Sequence, residues 1–278
     1  MRGILKKILT VIAALTAATF VIALDVWFEV RIPKAETVNI LSAKITEGNS
    51  LKFVQISDVH GSRITDHHSL VEKISEFSPA AIFMTGDLVD RSTVDFTGVY
   101  EDVSELIKIA PVIFITGNHD LANPEGEKLI KGLRKEGVIV LRNSSTVIRE
   151  SDTTSVIAGI EDAHFGGGDI DKAVKGIDDS TFNILLSHTP AVATQVERPL
   201  DLVLSGHTHG GQVRLPFFGA IFLPDKEILP ALIKGLSETE KGVMVYTDSG
   251  FGTSVIPVRF MDRSQISLIT INGTGKKN

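Results

Sequence analysis

The sequence predicts an α/β (α+β) protein in which two sheets pack together with helices outside, preceded by an N-terminal membrane helix. Three observations carry that expectation. Apolar runs alternate with amphipathic helical stretches from residue 51 to 136, the texture changes to closely spaced strands after Gly137, and residues 8–24 hold no charge. With 278 residues, 43% of them hydrophobic and 22% charged, the chain can fill one large core and carry a small appendage.

Arg2, Lys6 and Lys7 precede the uncharged run at 8–24, which is about 25 Å of helix at 1.5 Å per residue. Extending the run to Phe28 reaches a full bilayer core; it includes Asp25 and sets Trp27 and Phe28 where an interface suits them. A cleaved secretory signal is the rival reading, but no convincing small-x-small site follows, and no cysteine offers lipid attachment. The expectation is an uncleaved single-pass anchor over residues 1–28. Its basic flank favours an N-in, C-out orientation, which places the rest of the chain on the extracytoplasmic side.

Residues 29–50 read as a linker leading into a first strand or hairpin, punctuated by Pro33 and the turn Glu47-Gly48-Asn49-Ser50. Residues 51–56 form a strand, and Leu70, Val71, Ile74 and Phe77 give 66–77 helical spacing. A strand at 80–85, a helix at 96–109, a strand at 112–116 and a helix at 125–136 behind Pro124 continue the alternation. Residues 138–141, 145–149 and 155–160 look like strands of a second sheet. A short helix near 170–176, a strand at 182–187, a helix at 191–198 and a strand at 202–205 follow. Strands at 243–247 and 265–271 close a domain expected to span 51–272, before a polar tail at 273–278.

Composition narrows the chemistry. A net charge of −6 with no basic stripe argues against a nucleic-acid partner. The absence of cysteine excludes disulfides and thiolate ligands, so any metal would sit among oxygen and imidazole donors, which suit Mn, Fe, Zn or Mg.

Five segments, each following an apolar run, concentrate those donors. They are Asp58-Val59-His60, Gly86-Asp87, Gly117-Asn118-His119-Asp120, Ser187-His188 and Gly206-His207-Thr208-His209, and they take five of the eight histidines. Strand ends are where an α/β fold gathers side chains into one site. Two cations about 3.5–4 Å apart need a shared ligand, and a carboxylate bridges better than an imidazole, which makes Asp87 the natural bridge. Asp58 and His60, two apart in an extended segment, can point to one side, as can His207 and His209. Asn118 adds a carbonyl oxygen and His188 another imidazole. Taken singly, each segment has a plainer reading as a turn or a helix cap, Asn118-His119-Asp120 included. In this order together they point to a dinuclear metal centre.

The pattern resembles the calcineurin-like metallophosphoesterase superfamily, from about residue 51 to 271. The run from Gly206 to Pro216, with Gly250-Phe251-Gly252-Thr253 and Pro257-Val258-Arg259-Phe260, is similar to a membrane-linked bacterial branch. That branch includes phosphodiesterases and a UDP-2,3-diacylglucosamine pyrophosphatase. The resemblance implies a four-layer α-β-β-α sandwich of two mixed sheets flanked by helices. It implies two divalent ions, manganese favoured, with Asp58, His60, Asp87 and His209 on one and Asp87, Asn118, His188 and His207 on the other. His119 would face the phosphoryl oxygen or leaving group, with Asp120 orienting it. The implied reaction is hydrolysis of a phosphodiester or pyrophosphate by a metal-bridging hydroxide, with inversion at phosphorus.

Arg63, Arg91, Arg214 and His164 lie near these loops and are candidate substrate contacts, although solvated surface is the plainer reading of the arginines. Residues 215–236 are dense in apolar side chains, including Phe217, Phe218, Phe222, Leu223 and Ile228. They either pack over the sheet or form an apolar lip that touches the bilayer or an acyl chain. Beside an N-terminal anchor, such a lip suits a lipid-linked or nucleotide-linked phosphoester. One alternative is the pyrophosphatase of lipid A synthesis, whose cytoplasmic substrate conflicts with the N-in orientation. Another is a non-catalytic scaffold, which the intact ligand set and His119 oppose.

Overall fold

The computed structural model of the chain describes residues 2–150, 152–197, 199–221, 229–254 and 256–276. Several expectations fall partly elsewhere: 222–228 of the apolar segment, Arg198 at the end of a helix, and Lys277 and Asn278 of the tail lie outside the described residues.

The chain opens with α1 (Arg2–Arg31), an apolar helix with no buried residue. At roughly 45 Å it is long enough to cross a membrane. It ends just before Pro33, whose ring disfavours helix in the preceding residue. The first sheet then takes β1 (Lys34–Thr46), β2 (Ser50–Ile56), β3 (Ala81–Met84), β4 (Val112–Phe114) and β5 (Ile139–Val140). Between them lie α2 (His68–Phe77), α3 (Thr97–Ile107), α4 (Asn118–Ala122) and α5 (Gly126–Lys135). The second sheet takes β6 (Ser144–Glu150), β7 (Thr153–Gly159), β8 (Phe182–Leu186) and β9 (Leu202–Ser205), with α6 (Ile170–Ala173) before β8. A small hairpin, β10 (Arg214–Leu215) and β11 (Gly219–Ala220), precedes β12 (Gly235–Glu238) and β13 (Met244–Thr247) of the second sheet. Finally β14 (Gln265–Gly275) returns to the first.

The sheet orders are β1-β14-β2-β3-β4-β5 and β12-β13-β9-β8-β7-β6. Three apolar cores alternate with them and define four layers. Phe53, Phe83, Ile113, Ile184, Leu204 and Ile269 fill the space between the sheets. Val54, Ile82 and Phe114 face Leu70, Val103, Leu129 and Leu133 of the helices. Leu185, Val203 and Val245 face Val192, Ala193 and Ala173 on the far side. Strands buried on both faces explain the unbroken apolar runs that preceded each motif.

Four local expectations change. Residues 34–46 hold a first strand but no hairpin: β1 runs parallel to β14, and β14 separates it from β2, so the turn after Thr46 does not pair them. β5 joins the first sheet, and the second is parallel through β7, β8, β9 and β13, with antiparallel β6 and β12 only at its edges. Short strand spacing hides crossovers, because the connections fold back over the sheet in turns. The helix expected at 191–198 is a 3₁₀ turn, Pro190–Gln195, hemmed in by Pro190 and Pro199. The polar tail is in part strand, since β14 extends to Gly275.

Candidate metal centre

The parallel strands of both sheets end at one place. Asp58 and His60 follow β2, Asp87 follows β3, Asn118 follows β4, His188 follows β8, and His207 and His209 follow β9. In the first group, His209 Nε2 lies 3.4 Å from Asp58 Oδ1 and 3.2 Å from His60 Nε2. In the second, His207 Nδ1 lies 3.2 Å from His188 Nε2 and 3.0 Å from Asn118 Oδ1. Asp87 joins them: its Oδ2 is 3.7 Å from His60 Nε2 and 3.3 Å from His188 Nε2. Its other oxygen accepts the His119 backbone N–H at 2.7 Å, so one oxygen is left to face both groups.

Ring nitrogens 3.2 Å apart must share a proton or a cation, since two lone pairs would repel. Donors about 2.0–2.2 Å from one ion are spaced roughly 3.0–3.6 Å apart, which covers every one of these distances but the 3.7 Å from Asp87 to His60. Hydrogen bonds on the far side of two rings fix which nitrogen faces inward. His60 Nδ1 donates to Asp90 Oδ1 at 2.7 Å and His188 Nδ1 to Thr85 O at 2.8 Å.

The backbone is strained at the same residues. Asp58, His60, Asp87, His207 and His209 all have φ between 48° and 70°. The extended geometry expected for the two i, i+2 pairs is therefore wrong; left-handed turns aim both members inward instead. Such conformations cost of order 1–3 kcal/mol each and persist where the surroundings over-determine them. Close approach does so here. A Cβ on Gly117 would stand 2.2 Å from Asp87 Oδ1, and one on Gly206 would stand 2.3 Å from Asp58 Oδ2.

The charges call for cations. Burial alone would raise Asp87, yet His188, His60 and His119 outweigh it and hold the carboxyl well below the usual range. Asp58, likewise buried, is held low by His209 and His188. Against its own burial, His188 is pushed well up by Asp87 and Asp58, while burial pushes His209 down to about 3 against Asp58. The buried carboxylates thus draw positive charge onto His188 and His60 and leave His209 neutral; two divalent ions would supply that charge instead.

The calcineurin-like phosphoesterase family model matches residues 51–211. The chain belongs to that family. Metallophosphoesterase YkuE of Bacillus subtilis (strain 168) is 32% identical over 246 residues, covering 84% of each chain. Phosphodiesterase YaeI of Escherichia coli (strain K12) is 28% identical over 230 residues, covering 79% of this chain and 82% of its own. A Danio rerio transmembrane protein with a metallophosphoesterase domain is 31% identical over 256 residues, 86% of this chain and 57% of its own. As a calcineurin-like phosphoesterase the chain is a hydrolase, and the family depends on a dinuclear metal centre.

One expected contact is corrected. Asp120 does not touch the His119 ring. Its Oδ2 accepts the N–H groups of Asp87 and Gly117 at 2.8 and 2.9 Å, and its Oδ1 those of Leu88 and Val89 at 2.9 and 3.3 Å. The first turn of α4 points this carboxylate down into the Asp87 loop. Burial and the Asp87 charge push Asp120 up to about 7, against the pull of those amides. Asp90 is the carboxylate nearest the His119 ring, with Oδ1 3.5 Å from Nδ1, and His119 packs edge-on to His60 at 4.8 Å.

The candidate substrate contacts divide. His164 reaches the site: its ring lies 4.8 Å from that of His207, and its Nδ1 is 3.2 Å from Thr189 Oγ1. Exposed Arg91 is close enough to His119 to lower its pKa, after burial and His60. Arg63 is committed elsewhere, to Asp102 at 3.1 Å and Glu101 at 2.8 Å. Arg214 donates to Gly210 O at 2.6 Å, which braces the loop after His209. Arg259 was legible only as part of a motif. It is wholly buried, donates to the carbonyls of Ser249, Gly250 and Gly252, and lies 3.5 Å from His209 Nδ1.

Proposed function

We propose that this hydrolase cleaves phosphodiester or pyrophosphate bonds at a centre of two divalent ions, manganese favoured. One observation carries the reading: a single oxygen of Asp87 faces both donor groups while the other is held by a backbone amide. Asp58, His60, Asp87 and His209 would hold one ion, and Asp87, Asn118, His188 and His207 the other. When bound, such ions activate water and neutralise phosphoryl charge.

The protein's own groups supply position and a proton. His119 stands half-buried at the edge of the cluster, pushed down by burial and by His60. A bound phosphoryl group would bring the opposite charge that draws a proton back, and Asp90 beside Nδ1 would hold it. His119 would then donate to the leaving oxygen. His164 packs against His207 and the charge of exposed Arg91 is felt at His119; these two would receive a second substituent on phosphorus, which favours diesters and pyrophosphates over monoesters. We also propose an N-in, C-out anchor, from Arg2, Lys6 and Lys7 ahead of α1, and a lipid-linked or nucleotide-linked substrate met outside the cytoplasm. A C-terminal reporter fusion that is active only in the cytoplasm would overturn that sidedness.

The test is a metal-supplemented panel on the full chain in detergent: a phosphomonoester, an aryl phosphodiester, a nucleotide-sugar and a lipid-linked phosphoester. His119→Ala should lose about 10²–10⁴ in turnover while still binding two ions. Full activity in that variant, or retention of configuration at phosphorus, would sink the assignment.

A further inference from the structure

The hairpin β10–β11 is closed by Pro216, Phe217 and Phe218 between paired Leu215 and Gly219. Phe217 is fully exposed, with a φ of 69°, a left-handed conformation that hairpin loops normally give to glycine. Phe218 is 80% exposed, and Leu215 and Ile221 are exposed as well. A strained backbone and a pair of bare aromatic rings both oppose folding. Their joint presence on one tip points to a partner outside the chain.

Connectivity says which partner. The hairpin base is fastened to Phe260: Val213 bridges to it, and Arg214 N–H donates to Phe260 O at 3.0 Å. Three residues on, Arg263 lies over the Phe28 ring of α1 at 4.4 Å and donates to Ile32 O, while Ser264 N–H donates to Glu29 O at 2.9 Å. Residues 260–264 thus carry the hairpin at one end and the last turns of α1 at the other. Exposed Met261 lies between them, and Trp27, Phe28 and Ile32 are exposed on the helix side. Where α1 leaves a bilayer, the hairpin base is only a few residues away, and the basic residues Arg31 and Arg263 stand at that helix end.

We propose that the Phe217–Phe218 tip inserts into the headgroup region of the same membrane that α1 crosses, so the domain is held at two points. A partner of lipid is argued by the hairpin's continuity with α1, and by the aromatic and basic side chains at the end of that helix. Because Arg214 also donates to Gly210 O beside His209, a docked hairpin would set the metal-bearing loop beside the lipid surface. The proposal rests on reading α1 as the membrane span, not on the chemistry of the metal centre.

The chain has one tryptophan, Trp27, which makes the test direct. The wild-type chain and the double variant Trp27→Phe, Phe218→Trp are reconstituted into phosphatidylcholine vesicles with bromine at shallow or deep acyl positions. Wild-type quenching reports whether α1 inserts; the double variant reports the hairpin alone. The expected result is blue-shifted emission from the variant, quenched more by shallow than by deep bromines. Three results would overturn the proposal: solvated, unquenched variant emission while Trp27 is quenched; a blue shift without bromine quenching, meaning contact with a second copy; or no quenching in either protein, meaning that α1 itself is no span. Phe217→Ser added to the double variant should weaken the quenching; unchanged quenching would also count against insertion.

Discussion

Asp120→Asn separates two accounts of one carboxylate. If Asp120 steered the His119 ring, the substitution would cost turnover and leave stability and metal binding intact. The structure assigns it four backbone N–H donors, two on each oxygen. Asparagine keeps one oxygen and turns an NH₂ group toward the other two donors, which are left unsatisfied in a buried site. At about 1–3 kcal/mol for each orphaned donor, the loss is roughly 2–6 kcal/mol. Removing a charge that burial and Asp87 already oppose returns part of it, so the lower half of that range, about 3 kcal/mol, is expected. Against a total stability of about 5–15 kcal/mol this is large, and it lowers the melting temperature by on the order of 10 °C. Because two of the donors are Asp87 N–H and Gly117 N–H, metal affinity should fall too. Thermal melting of the metal-free protein and calorimetric metal titration read both effects. An unchanged melting curve and two normally bound ions, with turnover as low as in His119→Ala, would refute the loop-bracing role.

Other outcomes follow from the same geometry. Gly117→Ala places a methyl 2.2 Å from Asp87 Oδ1 and should cost at least ~10²-fold in kcat, with altered metal stoichiometry by elemental analysis. Saturating a site at about 100 times its Kd adds about 2.7 kcal/mol, so chelation should lower the melting temperature by roughly 5–10 °C, reversed by the added ion. Asp248 is buried and pushed up to about 6 from an ordinary value of 3.8, mainly by burial. Its folded form therefore binds the proton more tightly, and the stability it contributes is full below pH 3.8 and lost as pH rises to about 6. That is about 3 kcal/mol, and Asp248→Asn should flatten that part of the stability–pH profile measured by denaturant titration.

The metal centre was legible because each donor follows a strand buried on both faces, and such strands write themselves as apolar runs. Parallel strands end at a common edge, so residues 149 positions apart in sequence, such as Asp58 and His207, meet without any local signal of their meeting. Side-chain direction was not legible. Asp-x-His in extended backbone and Asp-x-His with two left-handed residues read identically, and only the crowding at Gly117 and Gly206 distinguishes them. Asp120 shows the same limit: an acidic residue beside a histidine in sequence invites a pairing, but the first turn of α4 sends adjacent side chains to different faces. The place of β1 was hidden for a further reason. Its partner β14 lies more than two hundred residues away, so a strand expected in 29–50 carried no sign of what it pairs with.

Strain, burial and charge at the centre all point the same way, and that bears on how the protein divides its tasks. Five candidate donors with left-handed φ and two buried carboxylates are unfavourable features that bound cations would offset, which would build metal affinity into the folding of the loops. Such a site has little freedom left to choose among phosphoesters. Choice must then come from groups that the cations do not hold. We propose that His164 against His207, exposed Arg91, whose charge is felt at His119, and the hairpin that starts just past His209 supply it. Exchanging them should move substrate preference while metal stoichiometry stays fixed; a rim substitution that instead changed stoichiometry would show that selectivity and metal binding share the same residues.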